Sequence, residues 1–452
     1  MSAAPSAARS ALRPVADRAS ATDLAFLSMD TGSVPEQFAA VLVLAPDGPF
    51  DLLRVQGLIA ERVPAIPRLR QRLVRVPPGC GRPIWIDDPE FDIRRHVRHL
   101  PCQYPGDERA LLDTAIAVIT APLPRSRPLW SAVFITGLAG GAVALVVVVH
   151  HVLADGIGGL AVLASLADRR AGQPPLAFPR RPPQSGQLAV DALIGRLRVL
   201  LRAPAALRDL RTSMMAAGGL APARATPCSL VQRTGPDRRL AVVRTDLAAL
   251  RAAAHRHGGT VNDAVLTAVG GALHRVLRGR GESVDSFTVA VPVAGRRSAS
   301  ASQLGNQVAP MLVTLPGTGD PSQRLRHIAA AVRARKGSAT GPPPIALLGP
   351  LFRAAAALGG YQWYMNHQRR LHTLVSHVRG PDQPITFAGA TVSAIIPVAV
   401  AEAGNITVSF EVLSYAGVLT ITAVADPDHF PDLAILRDSL QAELALLTQG
   451  NG

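Results

Sequence analysis

A chain of 452 residues with 48% hydrophobic content can bury a large core and is too apolar to be disordered; its length suggests two lobes. The formal charge is +15, from 47 Lys+Arg against 32 Asp+Glu, and nearly all the cations are arginine; this balance suits coenzyme A phosphates, anionic lipid or nucleic acid. Nucleic acid is set aside, because the arginines are scattered and aromatic residues make up only 4%, leaving no stacking platform on a basic stripe.

Residues 1–20 are rich in Ala, Ser, Pro and Arg with no apolar centre, which predicts a flexible tail rather than a secretory signal. From 21 to about 170 strands and helices alternate, with a strand at 38–44 and a helix at 52–63. Residues 131–149 carry no charge and mimic a membrane span, but Gly137, Gly140 and Gly141 interrupt them. The reading is a buried hairpin, with strands at 133–136 and 142–149 and a glycine turn between. Trp130, just before it, reads as a packing residue of the lobe core. Cys80, Cys102 and Cys228 are odd in number and in no CxxC spacing, which argues against a disulfide framework and against structural zinc.

The second strand of that hairpin runs straight into His150-His151, followed by Asp155-Gly156, in the sequence VVVVHHVLADGIGGL. A buried strand ending in two imidazoles delivers a base with an ordinary pKa of about 6.5 to the floor of a cleft. Adjacent strand residues point to opposite faces, so one ring faces the reaction and the other faces structure. The same geometry disfavours a shared metal ion, and no HExxH or Cys-rich partner is nearby. The motif alone leaves open which histidine is the base. Asp155 and Gly156 fix the loop, and a helix follows over 158–166.

Residues 171–187, containing GQPPLAFPRRPPQSGQ, form a proline-rich connection. Residues 188–210 then interleave Leu, Ile and Val with Arg196, Arg198, Arg202 and Arg208, an amphipathic helix interrupted at Pro204. Such a helix either lies on anionic lipid or packs across the two lobes with its arginines solvated. The second is taken as the expectation. The last unit, 236–452, reads as strands at 239–243, 289–293, 311–315, 373–378, 407–413 and 418–424. Helices fall at 247–257 and 431–447, and another, capped by Thr260, carries Asn262 and Asp263. The expected divisions are a tail (1–20), a first lobe (21–170), a linker with the amphipathic helix (171–235) and a second lobe (236–452), in an α/β fold.

HHVLADG resembles the signature of the coenzyme A-dependent acyltransferase superfamily. Further segments narrow the resemblance to the bacterial wax ester synthase/diacylglycerol acyltransferase family: DLAFLSMDT from Asp23, RQRLVRVPPGCGRPIWIDDPEFDIRRHVRHL from Arg70, PLPRSRPLW from Pro122, TVNDAVL from Thr260, VAVPVAGRR from Val289, LGNQVAPMLVTLP from Leu304 and VLSYAGVLTITAVAD from Val412. The resemblance implies two chloramphenicol-acetyltransferase-like lobes, each a mixed sheet with helices, and an active-site tunnel between them. It implies transfer of a long-chain acyl group from acyl-CoA to diacylglycerol or a long-chain alcohol, with no cofactor and no metal. In it the second histidine is the base, so His151 is assigned that role, with His150 supporting and Asp155 and Gly156 holding the loop. Arg296 matches the partner of Asp155, Asn262 and Asp263 match the family's Asn-Asp pair, which either serves the substrate or oxyanion or caps the helix beginning near Thr260, and Gly305 and Asn306 shape a turn near the tunnel.

One segment departs from the family pattern. Ser376-His377-Val378-Arg379-Gly380-Pro381 stands where the family carries Ser-Asn-Val-Pro-Gly-Pro, which puts the choice of acceptor in question. A different acceptor alcohol, or a non-enzymatic lipid-surface protein of the same fold, is the alternative. The expected location is cytoplasmic, with peripheral contact to a membrane or lipid droplet left open.

Overall fold

The computed structural model describes residues 16–45, 48–168, 178–201, 224–294, 304, 306, 308–338, 349–400 and 404–449. Two six-stranded mixed sheets and a two-stranded ribbon, β2 (Gln71–Val74) with β3 (Ile84–Asp87), organise them. The first sheet is built on β6 (Val143–His150), every residue of which is buried. Its alternate side chains enter two cores: Leu145, Val147 and Val149 on one face, Ala144, Val146 and Val148 on the other. A strand covered on both faces reads as an unbroken apolar run, which is why the valines show no alternation in sequence. Helix α2 (Leu52–Arg62) sends Val55 and Ile59 into the first core, and α3 (Glu108–Thr120) sends Leu111, Ala115 and Ile119 into the second.

The spatial order of this sheet is β11 (Thr386–Phe387), β12 (Ala390–Ala399), β1 (Gln37–Ala45), β6, β5 (Trp130–Thr136) and β4 (Val97–Pro101). β5 and β6 form the antiparallel hairpin expected around the glycine turn. Two strands of the 236–452 segment thus complete the first sheet: β12 pairs antiparallel with β1, setting Val41 opposite Ile396. The returning hairpin is fastened by Asp168, whose carboxylate accepts from the Ala388 and Gly389 N–H groups at 2.9 and 2.8 Å and pairs with Arg62 at 2.6 Å.

The second sheet runs β7 (Arg239–Asp246), β14 (Val418–Ala425), β13 (Val408–Tyr415), β10 (Thr373–Arg379), β8 (Ser286–Ala294) and β9 (Val308–Pro316). One face is covered by helices Leu247–Arg256, Val261–Gly279, Pro321–Ser338 and Leu433–Gln449, around a core containing Leu266, Leu273, Phe287, Leu325, Phe410 and Leu440. Val242 and Val424 of the second sheet belong to the same core as Ile396 and Val398 of the first, so the two sheets meet back to back. The helix at Val261–Gly279 starts where Thr260 and Asp263 form a capping box.

Two expectations need correction. The tail does not extend to residue 20. Asp17 O accepts from Trp85 N–H at 2.8 Å, Ala19 N–H donates to Pro83 O at 3.0 Å, and Ser20 caps a helix, α1 (Ala21–Met29), through a second capping box with Asp23. The amphipathic helix, α5 (Ser185–Leu201), does not bridge the lobes in its described part. Its Leu188 packs with Ala16, Cys80 and Ile84 of the first lobe. Residues 202–210, with Pro204, lie outside the described residues, as does Arg296.

Candidate active site

β6 delivers the histidine pair, and β1 fixes its height: Gln37 stands opposite His150, and His151 N–H donates to Glu36 O at 2.9 Å. The chain then turns at once, Leu153 N–H reaching back to His150 O at 2.9 Å. His150 is buried, and its Nδ1 accepts from Val152 N–H at 3.0 Å. That bond places the ring proton on Nε2, which lies 3.1 Å from Asp30 Oδ2 and donates to it. Asp30 sits just past α1 and also takes Arg125 at 2.7 Å and the Glu36 N–H at 3.1 Å. Burial alone would raise the Asp30 carboxyl, but the bonds from His150 and Arg125 outweigh it and hold the group well below the usual carboxylate range. A cleft of about 260 Å³ opens over this pair, lined among others by Asp30, Gln37, Thr120, Arg125 and His150.

The His151 ring takes the other direction. It stacks on Phe26 of α1, with centroids 5.0 Å apart and planes 15° from parallel, and tilts against Phe38 of β1 at 4.8 Å. The residue keeps some exposed surface, yet burial of the ring, aided by the neighbouring His150, pulls its pKa down to about 4. Nδ1 is buried, and the backbone contact at Ala154 offsets only part of the effect of that burial. At neutral pH the ring is therefore an uncharged base.

Three residues, Asn306, Asp155 and Gly156, fix the loop around it. Asn306 Nδ2 donates to His151 O at 2.6 Å and to Asp23 Oδ1 at 3.2 Å, tying the second lobe to both the motif and α1. Asp155 is buried, caps helix α4 (Gly156–Leu166) and accepts from Gly158 N–H at 2.8 Å, so this helix begins two residues before the sequence reading placed it. Gly156 presses on β10: a Cβ there would sit 2.8 Å from Val378 Cγ2. The segment that departs from the family pattern thus abuts the motif directly, with Arg379 exposed and paired to Asp382 at 2.8 Å.

Gly159 makes room for Phe38, since a Cβ there would lie 2.4 Å from Phe38 Cε2. Gly159→Ala gains up to ~1 kcal/mol of helix propensity but incurs ~1–3 kcal/mol of overpacking. Because the strained contact is the ring that packs on His151, we expect kcat to fall about tenfold with a small loss of melting temperature. Steady-state kinetics beside thermal unfolding would show it, and an unchanged kcat would remove Phe38 from the site.

Of the remaining sequence candidates, Asp263 spends its Oδ2 on Thr260, at 2.8 Å from both N–H and Oγ1, and leaves Oδ1 buried without a hydrogen-bond partner among the described residues. Asn262 beside it is half-buried. Trp130 is buried, donates Nε1–H to Leu69 O at 2.7 Å and stacks on His96 at 4.7 Å, far from a reacting role. Gly305 lies outside the described residues. Among the described residues no His/Cys/Asp/Glu cluster could hold a metal.

Sequence reasoning missed Asp30, Arg125, Phe26 and Phe38. Asp30→Ala would strand the buried His150 Nε2–H, and an unmet buried donor costs ~1–3 kcal/mol. Asp30→Asn retains an acceptor oxygen. The alanine variant should melt several degrees lower and turn over at least about tenfold more slowly, with asparagine recovering most of both; equal losses in the two variants would show that charge, not the hydrogen bond, matters.

The catalytic-domain profile of the wax ester synthase/diacylglycerol acyltransferase family matches residues 19–265, and the profile of its C-terminal domain matches 304–448. The chain is 31% identical over 406 residues to "Probable diacyglycerol O-acyltransferase tgs1" of Mycobacterium tuberculosis, covering 86% of each protein. In fold it is similar to the wax ester synthase/diacylglycerol acyltransferase of Marinobacter aquaeolei VT8, with a TM-score of 0.68 at 22% identity over 96% of this chain and 99% of that one. It is also similar to the first condensation domain of the calcium-dependent antibiotic synthetase, with a TM-score of 0.65 at 18% identity over 96% of both chains. On the extent of the profile matches and of the mycobacterial likeness, the chain belongs to the wax ester synthase/diacylglycerol acyltransferase family.

Proposed function

We propose that this protein transfers a long-chain acyl group from acyl-CoA to the hydroxyl of diacylglycerol or a long-chain alcohol, giving triacylglycerol or a wax ester. The observation that carries the reading is His151: an imidazole held neutral by burial, clamped between Phe26 and Phe38, at the place where Asn306 and Val378 of the second lobe reach the motif. With Nδ1 enclosed, Nε2 is the nitrogen offered to substrate. It takes the acceptor's proton as the oxygen attacks the thioester carbonyl carbon. The C–S bond then breaks, and the same proton passes to the departing sulfur, releasing coenzyme A with no acyl-enzyme. Charge developing on the carbonyl oxygen needs fixed donors, for which Asn262 is the candidate. Asp155 and Arg296 hold the loop, and arginines bind the coenzyme A phosphates.

Such acceptors reside in a lipid phase, so the enzyme works at a membrane or droplet surface on the cytoplasmic side. No helix among the described residues is long and apolar enough to cross a membrane. A different acceptor alcohol is favoured by one observation, the charged Arg379 at the end of the strand that touches Gly156. Purified protein given labelled palmitoyl-CoA with diacylglycerol, hexadecanol or short alcohols should form labelled ester with one of the two lipids. Ester from short alcohols alone would move the acceptor, and coenzyme A release without ester would overturn acyl transfer.

A further inference from the structure

Helix α5 is held to the body by one narrow face. Leu188 and Ala192 are buried, and Asp191 is drawn inward onto Arg18 Nε at 2.7 Å, while Arg18 also donates to Leu188 O at 2.9 Å. The opposite face carries Val190, Leu193, Ile194 and Leu197, spaced i, i+3, i+4, i+7 and between 41% and 59% exposed. Arg196 and Arg198, both exposed, border this stripe on its two sides, and Arg196 also donates to Gly79 O at 3.3 Å. A helix packed on a protein normally turns such a stripe inward. Here it points out, edged with positive charge.

We propose that this face docks the enzyme flat on an anionic lipid surface, the phase that supplies its acceptor. The inference rests on the function proposed above. The chemistry favours lipid over a second copy of the chain, because two such faces brought together would set Arg196 and Arg198 of each copy against one another. Anionic headgroups complement both arginines while their stems and the leucines enter the acyl boundary. The helix's one acid, Asp191, is already neutralised by Arg18, so nothing on the helix opposes a negative surface. The excess of +15 adds long-range attraction. With 17 residues, α5 is about 25 Å long, suited to lying in the interface rather than crossing it.

The full-length protein should co-sediment with vesicles of phosphatidylcholine containing a quarter phosphatidylglycerol, more weakly with pure phosphatidylcholine, and less as salt rises. Arg196→Gln and Arg198→Gln should each weaken binding to the anionic vesicles about fivefold. The double variant Leu193→Gln/Leu197→Gln should weaken it at least about tenfold. All positions are exposed, and circular dichroism will show that the variants fold. Their rates on diacylglycerol embedded in vesicles should fall in parallel, while rates on a short water-soluble alcohol stay unchanged. Undiminished sedimentation of the leucine variant, or a wild type that ignores vesicles, overturns the proposal. So does a wild-type dimer that the leucine variant dissolves, since the stripe is then a contact between copies. Vesicle binding is read without turnover, so an inactive wild type that still sediments would refute the acyltransferase reading and leave the docking face standing.

Discussion

Replacing His151 by glutamine should lower kcat for acyl transfer by about a hundred- to ten-thousand-fold, the usual contribution of a positioned general base. Glutamine retains bulk between Phe26 and Phe38 but accepts no proton near neutral pH. Alanine at the same place is a different experiment. It empties the space between two rings 5.0 and 4.8 Å from the imidazole centroid, and lost aromatic contacts of this kind are worth ~0.5–1.5 kcal/mol each. The two variants should therefore share the fall in kcat and differ in melting temperature by a few degrees at most, with KM for acyl-CoA little changed. Single-turnover release of coenzyme A, measured beside thermal unfolding, separates chemistry from packing. A glutamine variant within tenfold of wild type would take the proton transfer away from His151.

The parts of this arrangement that sequence discloses are those carried by local chemistry. Eight β-branched and apolar residues before a His-His-turn announce β6 and its loop, and Thr260 announces the helix behind Asp263. Hidden are the features created by distant meetings. β12 is an ordinary strand containing Pro397, and nothing in its composition says that it will leave the second sheet to pair with β1, some 350 positions earlier. Asp30 is one acid among several near the N-terminus until folding sets it 3.1 Å from a histidine 120 residues away. Phe26 and Phe38 are anonymous hydrophobics for the same reason. The amphipathic character of α5 was legible, but its outward stripe was not. Periodicity names two faces without saying which one the body takes, and the Arg18–Asp191 pair makes that choice.

Acidification should weaken the fold well before it protonates the base. An unfolded His151 titrates near 6.5, whereas in the native state burial holds it at about 4. Between these values the unfolded chain binds a proton that the native one refuses, so stability declines as pH falls from about 6.5 to about 4 and is unaffected by this group above that range. The difference corresponds to at most about 3 kcal/mol. His96 and His372 are lowered by burial as well and add losses of the same sign. The depressed carboxylates Asp30, Asp87, Asp168 and Asp426 act later, since their stabilising effect is lost only as pH drops below the unfolded carboxylate value of about 3.9. Denaturant titrations at several pH values should therefore show wild type losing stability across the histidine window. His151→Gln should show a shallower decline, and the difference between the two slopes isolates this ring. In parallel, kcat/KM of the wild type should stay flat to about pH 5, where an ordinary histidine base would already be mostly protonated. An acid limb centred near 6.5, together with identical slopes in the two proteins, would mean that the ring is solvated and not enclosed between Phe26 and Phe38.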